Sequence, residues 1–228
     1  MEPAAPTWFD TAMVRHGWPL DKLKVFLTIP NLGWIHDDLV DFIVWMLQDP
    51  HEIQLYRPRN FRPTESMRQH CMASFLATDC DIWFSVDNDN APCLPEIINI
   101  ADENLPIVGF PTPCYDTDTG SISLNCYDIV KGKHVPRTHG EGLQAVSAIG
   151  GGCFMVRRDV AAKVLDQQPF RPEMDDYGRI TVSEDLVFSQ RVREAAFPIH
   201  AHFDYPCHHR KTVDLLQFVA KMTEEWQA

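Results

Sequence analysis

The run Ile82-Trp83-Phe84-Ser85-Val86, leading directly into Asp87-Asn88-Asp89-Asn90, constrains the fold more than any other stretch of the chain. A segment so nearly all apolar suits a strand covered on both faces, the condition of a central strand in a sheet with helices on either side. Strand direction then puts the two aspartates at its carboxyl end, where open α/β sheets bind ligands. Two carboxylates two residues apart point the same way on an extended chain end. A turn there lets both reach one hard divalent cation through oxygen. The competing reading is a turn in which Asp and Asn cap their own backbone.

The flanking pattern supports a strand and helix alternation. Val25-Phe26-Leu27-Thr28-Ile29 reads as a buried strand closed by Pro30-Asn31. Ile35, Leu39, Phe42, Ile43, Met46 and Leu47 then fall on one helical face, with Asp37 and Asp38 in the first turn. A strand at Glu52 to Tyr56, a helix from about Thr64 to Thr78, a helix after Pro95 to about Ala101 and a strand at Ile107 to Phe110 follow. The helix from Thr64 has Met67, Cys71, Met72, Phe75 and Leu76 as its apolar face. This order predicts a mostly parallel sheet flanked by helices.

The second half is less regular. Residues 111 to 145 are rich in turn formers and predict a small antiparallel portion, with hairpin signals at Gly120 and Gly132. Gly150-Gly151-Gly152 precedes a strand at Cys153 to Val156, and Asp159 is the expected cap of a helix to about Leu165. Ser183 is the expected cap of a helix from Glu184 to Ala195, followed by a strand at Ile199 to Phe203. The turn Cys207-His208-His209-Arg210 leads to an amphipathic C-terminal helix through Leu215, Leu216, Val219 and Met222, which with Trp226 could pack on a partner as easily as on its own sheet. With no repeat or linker in view, residues 1–228 are expected to form one domain.

Charge and cysteine content narrow the function classes. With 20 Lys+Arg against 32 Asp+Glu the net charge is −12, which argues against an extensive nucleic-acid surface. Seven cysteines without a CxxC pair fit neither a zinc ribbon nor a disulfide framework, and predict reduced thiols in a cytoplasmic setting. The first ten residues carry Pro and acids rather than a basic start and an apolar run, so no signal peptide is expected. No apolar stretch reaches the roughly 18 residues of a membrane span.

Two further clusters carry chemistry. Glu184-Asp185 follows Ser183, where acids also simply favour the helix dipole. His208-His209 forms an incomplete metal site unless the fold brings it to Asp87 and Asp89.

Taken in order, these motifs resemble a glycosyltransferase of the GT-A fold, most like the family 2 group. Asp81-Ile-Trp-Phe-Ser-Val-Asp-Asn-Asp89 is similar to the strand ending in the DxD that binds metal and nucleotide-sugar. Gly150-Gly-Gly-Cys-Phe-Met-Val-Arg-Arg158 resembles the glycine-led strand on the acceptor side, and Ser183-Glu-Asp-Leu-Val-Phe-Ser-Gln-Arg-Val-Arg-Glu194 resembles the "ED" helix. The resemblance spans roughly residues 24 to 210 and implies a Rossmann-like central sheet.

It also implies roles. Asp89, with Asp87 directly or through water, would hold Mn²⁺ or Mg²⁺ against a donor diphosphate, with His209 or else His208 as a further ligand. Pro30 and Asn31 would lie near the nucleobase or ribose, and Arg62 or Arg68 would reach the nucleotide or its phosphates. Gly151 and Gly152 would let the backbone approach the sugar. Asp185 would be the general base for the acceptor hydroxyl, with Glu184 orienting either the acceptor or the base. The reaction implied is sugar transfer from a nucleotide-sugar to a saccharide, lipid, protein or hydroxylated nucleic-acid base. Metal-dependent nucleotidyl or phosphoryl transfer by the same carboxylates, and a non-catalytic nucleotide-sugar-binding module, are the rival readings.

Overall fold

A computed structural model describes residues 22–30, 35–59, 62–116 and 120–210. Asn31 and the C-terminal helix expected from Leu215 onward lie outside them. The chain opens with strand β1 (Lys24–Thr28), helix α1 (Asp37–Gln48), β2 (Glu52–Tyr56), α2 (Thr64–Leu76), β3 (Ile82–Val86) and β4 (Asn90–Pro92). A 3-10 helix, Pro95–Glu103, precedes β5 (Ile107–Gly109). Short strands then follow: β6 (Pro113–Tyr115), β7 (Ile122–Leu124), β8 (Cys126–Val130), β9 (Lys133–Pro136), β10 (Leu143–Val146) and β11 (Ala148–Ile149). The remaining elements are β12 (Cys153–Arg157), α3 (Arg158–Val164), β13 (Glu173–Met174), β14 (Ile180–Val182), α4 (Glu184–Glu194), β15 (Ile199–His202) and β16 (Cys207–His209).

Seven strands make the main sheet in the order β10-β15-β5-β12-β3-β1-β2. β1 pairs in parallel with both β2 and β3, and β15 in parallel with β5, whereas β12 runs antiparallel to β3 and β5, and β10 antiparallel to β15. The mostly parallel sheet flanked by helices expected from sequence is therefore present. All five residues of β3 are buried, as its composition requires.

Strand alternation divides the core between the two sheet faces. Phe26, Trp83 and Phe154 pack on one face with Met67, Cys71, Met72 and Phe75 of α2, and with Phe188 and Val192 of α4. Leu27, Phe84 and Met155 pack on the other with Leu39, Phe42 and Met46 of α1, and with Ile97 and Ile98 of the 3-10 helix. Trp83 satisfies its indole N–H inside the core by donating to Thr28 Oγ1 at 2.8 Å. Arg158 ties the layers together. Its guanidinium donates to the carbonyls of Cys80 and Thr78, both at 2.7 Å, while lying 4.9 Å from the centre of the Phe75 ring.

Several local expectations differ in detail. The segment from Pro95 is a 3-10 helix, ended by Asn104 in the left-handed region at φ 53. Asp159 stands in the first turn of α3 and pairs with Arg157 instead of capping. Ser183 occupies the N-cap of α4, but its hydroxyl donates to Asp185. The stretch 111 to 145 holds two hairpins, β6–β7 and β8–β9, the second turning through Lys131-Gly132 with both residues at positive φ. All seven cysteines are free, and five of them are buried. Among the described residues no helix is long and apolar enough to cross a membrane.

His51 clasps the start of β2 to the far end of the 3-10 helix. Its Nδ1 lies 2.7 Å from Asp49 Oδ1 and its Nε2 3.3 Å from Asp102 Oδ1. The hydrogen bond to Asp49 raises its pKa above the ordinary 6.5, against the effect of burial, and Asp102 adds to the rise. Because the folded value is raised, the clasp contributes fully below pH 6.5 and is lost as pH climbs past that ordinary value and through the higher folded one. His51→Ala is expected to cost about 1–3 kcal/mol at pH 6 and clearly less at pH 9. Urea titrations at the two pH values check this, and equal losses at both would contradict the charged pairing.

Candidate functional site

The antiparallel placement of β12 builds the site. Cys153 stands opposite Val86, so the glycines ahead of β12 meet the aspartates that follow β3. The Asp87 N–H donates to the Gly152 carbonyl at 2.8 Å. A turn over Asp87 to Asn90, closed by Asn90 N–H to the Asp87 carbonyl at 3.0 Å, then carries the chain into β4.

A buried guanidinium sits at this junction. Arg68, 3% exposed on α2, donates from Nη1 to the Gly151 carbonyl and from Nη2 to Asp87 Oδ2, both at 2.8 Å, and its Nε lies 3.7 Å from Glu184 Oε1. Burial works against the charge, yet Asp87, Glu184 and Asp185 together hold the Arg68 pKa above its ordinary value. Burial pushes the Glu184 carboxyl up, opposed by Arg68 and reinforced by Asp185. Arg68, one of the two arginines expected to reach the nucleotide or its phosphates, has two of its nitrogens committed to Gly151 and Asp87 and its side chain out of solvent. The apolar stripe of α2 contained the clue, because Arg68, Cys71, Met72 and Phe75 follow helical spacing and place Arg68 among the buried positions.

Asp185 joins the same group. Its Oδ1 accepts from Ser183 Oγ and from the Leu186 N–H at 2.8 Å, and its Oδ2 accepts from the Gly151 N–H at 3.3 Å. Gly151 therefore links Arg68 through its carbonyl and Asp185 through its amide. A Cβ there would come within 2.5 Å of Arg68 Cζ.

A second pair forms on the other side of the turn. β16 pairs with β4, setting His209 opposite Asn90, and His209 Nε2 lies 3.6 Å from Asp89 Oδ2. Asp89 Oδ1 accepts from the buried Asn90 amide at 2.9 Å, a positioning contact the sequence reading missed. Since His209 Nδ1 lies 2.6 Å from the Pro113 carbonyl, it must be the protonated nitrogen. In the neutral ring Nε2 then presents its lone pair to the carboxylate. His208, the alternative ligand, is exposed and is not brought to Asp89. Pro30 is buried just beyond β1, and Arg62 is exposed ahead of α2. Among the described residues no group of three or more His, Cys, Asp or Glu side chains is arranged to hold a metal.

No protein-family model and no curated protein sequence matches the chain. Among solved structures it is similar to A197 from STIV, with a TM-score of 0.54 and 19% identity over 83% of this chain and 87% of that one. It is also similar to GalNAc-T7 solved with UDP, GalNAc and Mn²⁺, with a TM-score of 0.51 and 10% identity. The chain has a GT-A-like fold. That match covers 85% of this chain but 44% of the GalNAc-T7 chain, and at these identities the likeness concerns the fold. Within the GT-A-like fold the Arg68 cluster and the Asp89–His209 pair flank the turn at the carboxyl end of β3.

Arg68→Met would strand three acids beside one another with no compensating charge, and is expected to destabilise the protein by about 3–5 kcal/mol in denaturant titrations. Gly151→Ala is expected to be destabilising as well, because the new methyl and the guanidinium cannot occupy the same place. Wild-type stability in either variant would remove Arg68 as the organiser of the site.

Proposed function

We propose that this protein is a divalent-cation-dependent glycosyltransferase, acting as one domain, that moves a sugar from a nucleotide-sugar to a hydroxyl acceptor. The observation that carries the reading is the pairing of a carboxylate and an imidazole, Asp89 and His209, on one side of the β3 turn, with the oriented carboxylate of Asp185 on the other. An imidazole nitrogen and a carboxylate 3.6 Å apart suit a shared cation, and the Nδ1–H bond to Pro113 is the outer contact that metal-binding histidines commonly make. Asp89 and His209 would hold Mn²⁺ or Mg²⁺, with further oxygens from the donor diphosphate. The bound ion would offset charge on the departing nucleoside diphosphate.

The chain's own residues have distinct tasks in this reading. Asp87, engaged by Arg68, fixes the turn that presents Asp89 and acts on the ion through water. Pro30 and Asn31 border the nucleobase or ribose, and Arg62 supplies positive charge to the nucleotide. Gly152 keeps the backbone slim beside the sugar. Asp185 takes the proton of the attacking hydroxyl, held in place by Ser183 and the Gly151 and Leu186 amides. Glu184 orients Asp185 through their shared partner Arg68.

Incubation with Mn²⁺ and a panel of nucleotide-sugars should release nucleoside diphosphate, whereas release of pyrophosphate or monophosphate would sink sugar transfer. Asp185→Asn should lower turnover by about 10²–10⁴-fold while donor binding survives. Asp89→Ala should abolish Mn²⁺ binding measured by calorimetry, independently of any turnover.

A further inference from the structure

The β8–β9 hairpin carries chemistry that the proposed reaction does not yet use. Tyr127 stands opposite Ala148 and Cys126 opposite Ile149, and the Gly150 N–H then donates to the Asn125 carbonyl at 2.5 Å. The next residue, Gly151, donates to Asp185. Ile149 exchanges hydrogen bonds with Ser189 of α4, at 3.1 Å from its N–H and 3.3 Å to its carbonyl. These contacts tie β11, the strand paired with Tyr127, to α4, and Asp185 lies near enough to act electrostatically on the Tyr127 phenol.

Ladder geometry defines a face. Tyr127 is opposite Pro136 and Ile129 opposite His134, so all four side chains project from one side of the hairpin. The Tyr127 and His134 rings meet edge to face, with centroids 6.4 Å apart and planes at 83°. Ile129 is 44% exposed at the rim. His134 Nε2 is buried with no hydrogen-bond partner among the described residues, so the ring is held by its packing against Tyr127. Burial, with Asp185 adding to it, holds the phenol well above its usual range. Burial followed by Arg193 holds the imidazole below its ordinary value, against the opposite pull of Asp185. Both groups are therefore uncharged near neutral pH.

We infer that the Tyr127–His134 face is the acceptor subsite and that it takes a neutral saccharide, the Tyr127 hydroxyl donating to one ring hydroxyl while another is presented to Asp185. The inference rests on the glycosyltransferase reading and adds the acceptor class. An aromatic ring beside neutral hydrogen-bonding groups matches a sugar, which offers a C–H face and hydroxyls at its edge. Asp185, which acts electrostatically on both Tyr127 and His134, disfavours an anionic group on the acceptor at this face. His134 is a positioning residue, packed against the Tyr127 ring.

Titration of the intact protein with methyl glycosides of glucose, galactose, mannose and N-acetylglucosamine, followed by saturation-transfer NMR, tests the subsite. At least one is expected to bind, about tenfold more weakly to Tyr127→Phe, with the melting temperature unchanged. That tenfold loss should vanish for the monodeoxy analogue lacking the contacted hydroxyl, a dependence that a packing role for Tyr127 does not produce. Absence of binding by every glycoside, equal binding to both proteins, or an equal loss for every monodeoxy analogue would overturn the inference. Saccharide binding without any nucleotide-sugar turnover would instead defeat the transferase reading and leave the saccharide site in place.

Discussion

The buried guanidinium of Arg68 is the interaction on which the rest of the site depends. Three acids, Asp87, Glu184 and Asp185, come from two distant parts of the chain and converge where β3, β12 and α4 meet. Carboxylates gathered out of bulk water repel one another strongly unless a cation lies among them. Arg68 supplies that cation from a third element, and its planar fork also takes the Gly151 carbonyl, so one side chain sets the spacing of the glycine turn, the aspartate turn and the first turn of α4. Lysine offers a single nitrogen and no such fork.

The antiparallel strand β12 gives this cation something to organise. A parallel strand next to β3 would have sent its amino end to the opposite edge of the sheet. By reversing direction, β12 brings Gly151 and Gly152 against Asp87, and the following chain returns through α3 and the β13–β14 hairpin to deliver Ser183, Glu184 and Asp185 at the same edge. The reversal separates two regions with different chemistry. On the β4 side, Asp89 and His209 are tied to Asn90 and the Pro113 carbonyl. On the hairpin side, the Tyr127 and His134 rings meet edge to face, within the electrostatic reach of Asp185.

Much of the fold was legible because its signals are local. The composition of residues 82 to 86 required a central strand, and the spacing of Leu39, Phe42, Ile43 and Met46 required a helix with one buried face. The hairpin at Lys131-Gly132 was marked by turn residues. Residues whose role depends on a distant partner were harder to read. Arg68 was expected, with Arg62, to reach the nucleotide, although its place in the α2 stripe marked it as buried. Choosing between His208 and His209 needed the β4–β16 register, which turns one toward Asp89 and the other to solvent. Tyr127 carries no motif, because its contacts come wholly from what lies across from it in the β8–β9 and β8–β11 ladders.

By itself, then, the sequence determined the element types, the central position of β3, and the aspartates and glycines that were worth following. Propensity, periodicity and turn chemistry act over a few residues and are written in those residues. Only the tertiary structure decided which charges share a buried space, which histidine meets the carboxylate, and which rings meet on the β8–β9 hairpin. Those outcomes depend on strand direction and register between segments far apart in the chain, and a one-residue slip in register would exchange every inward side chain for an outward one.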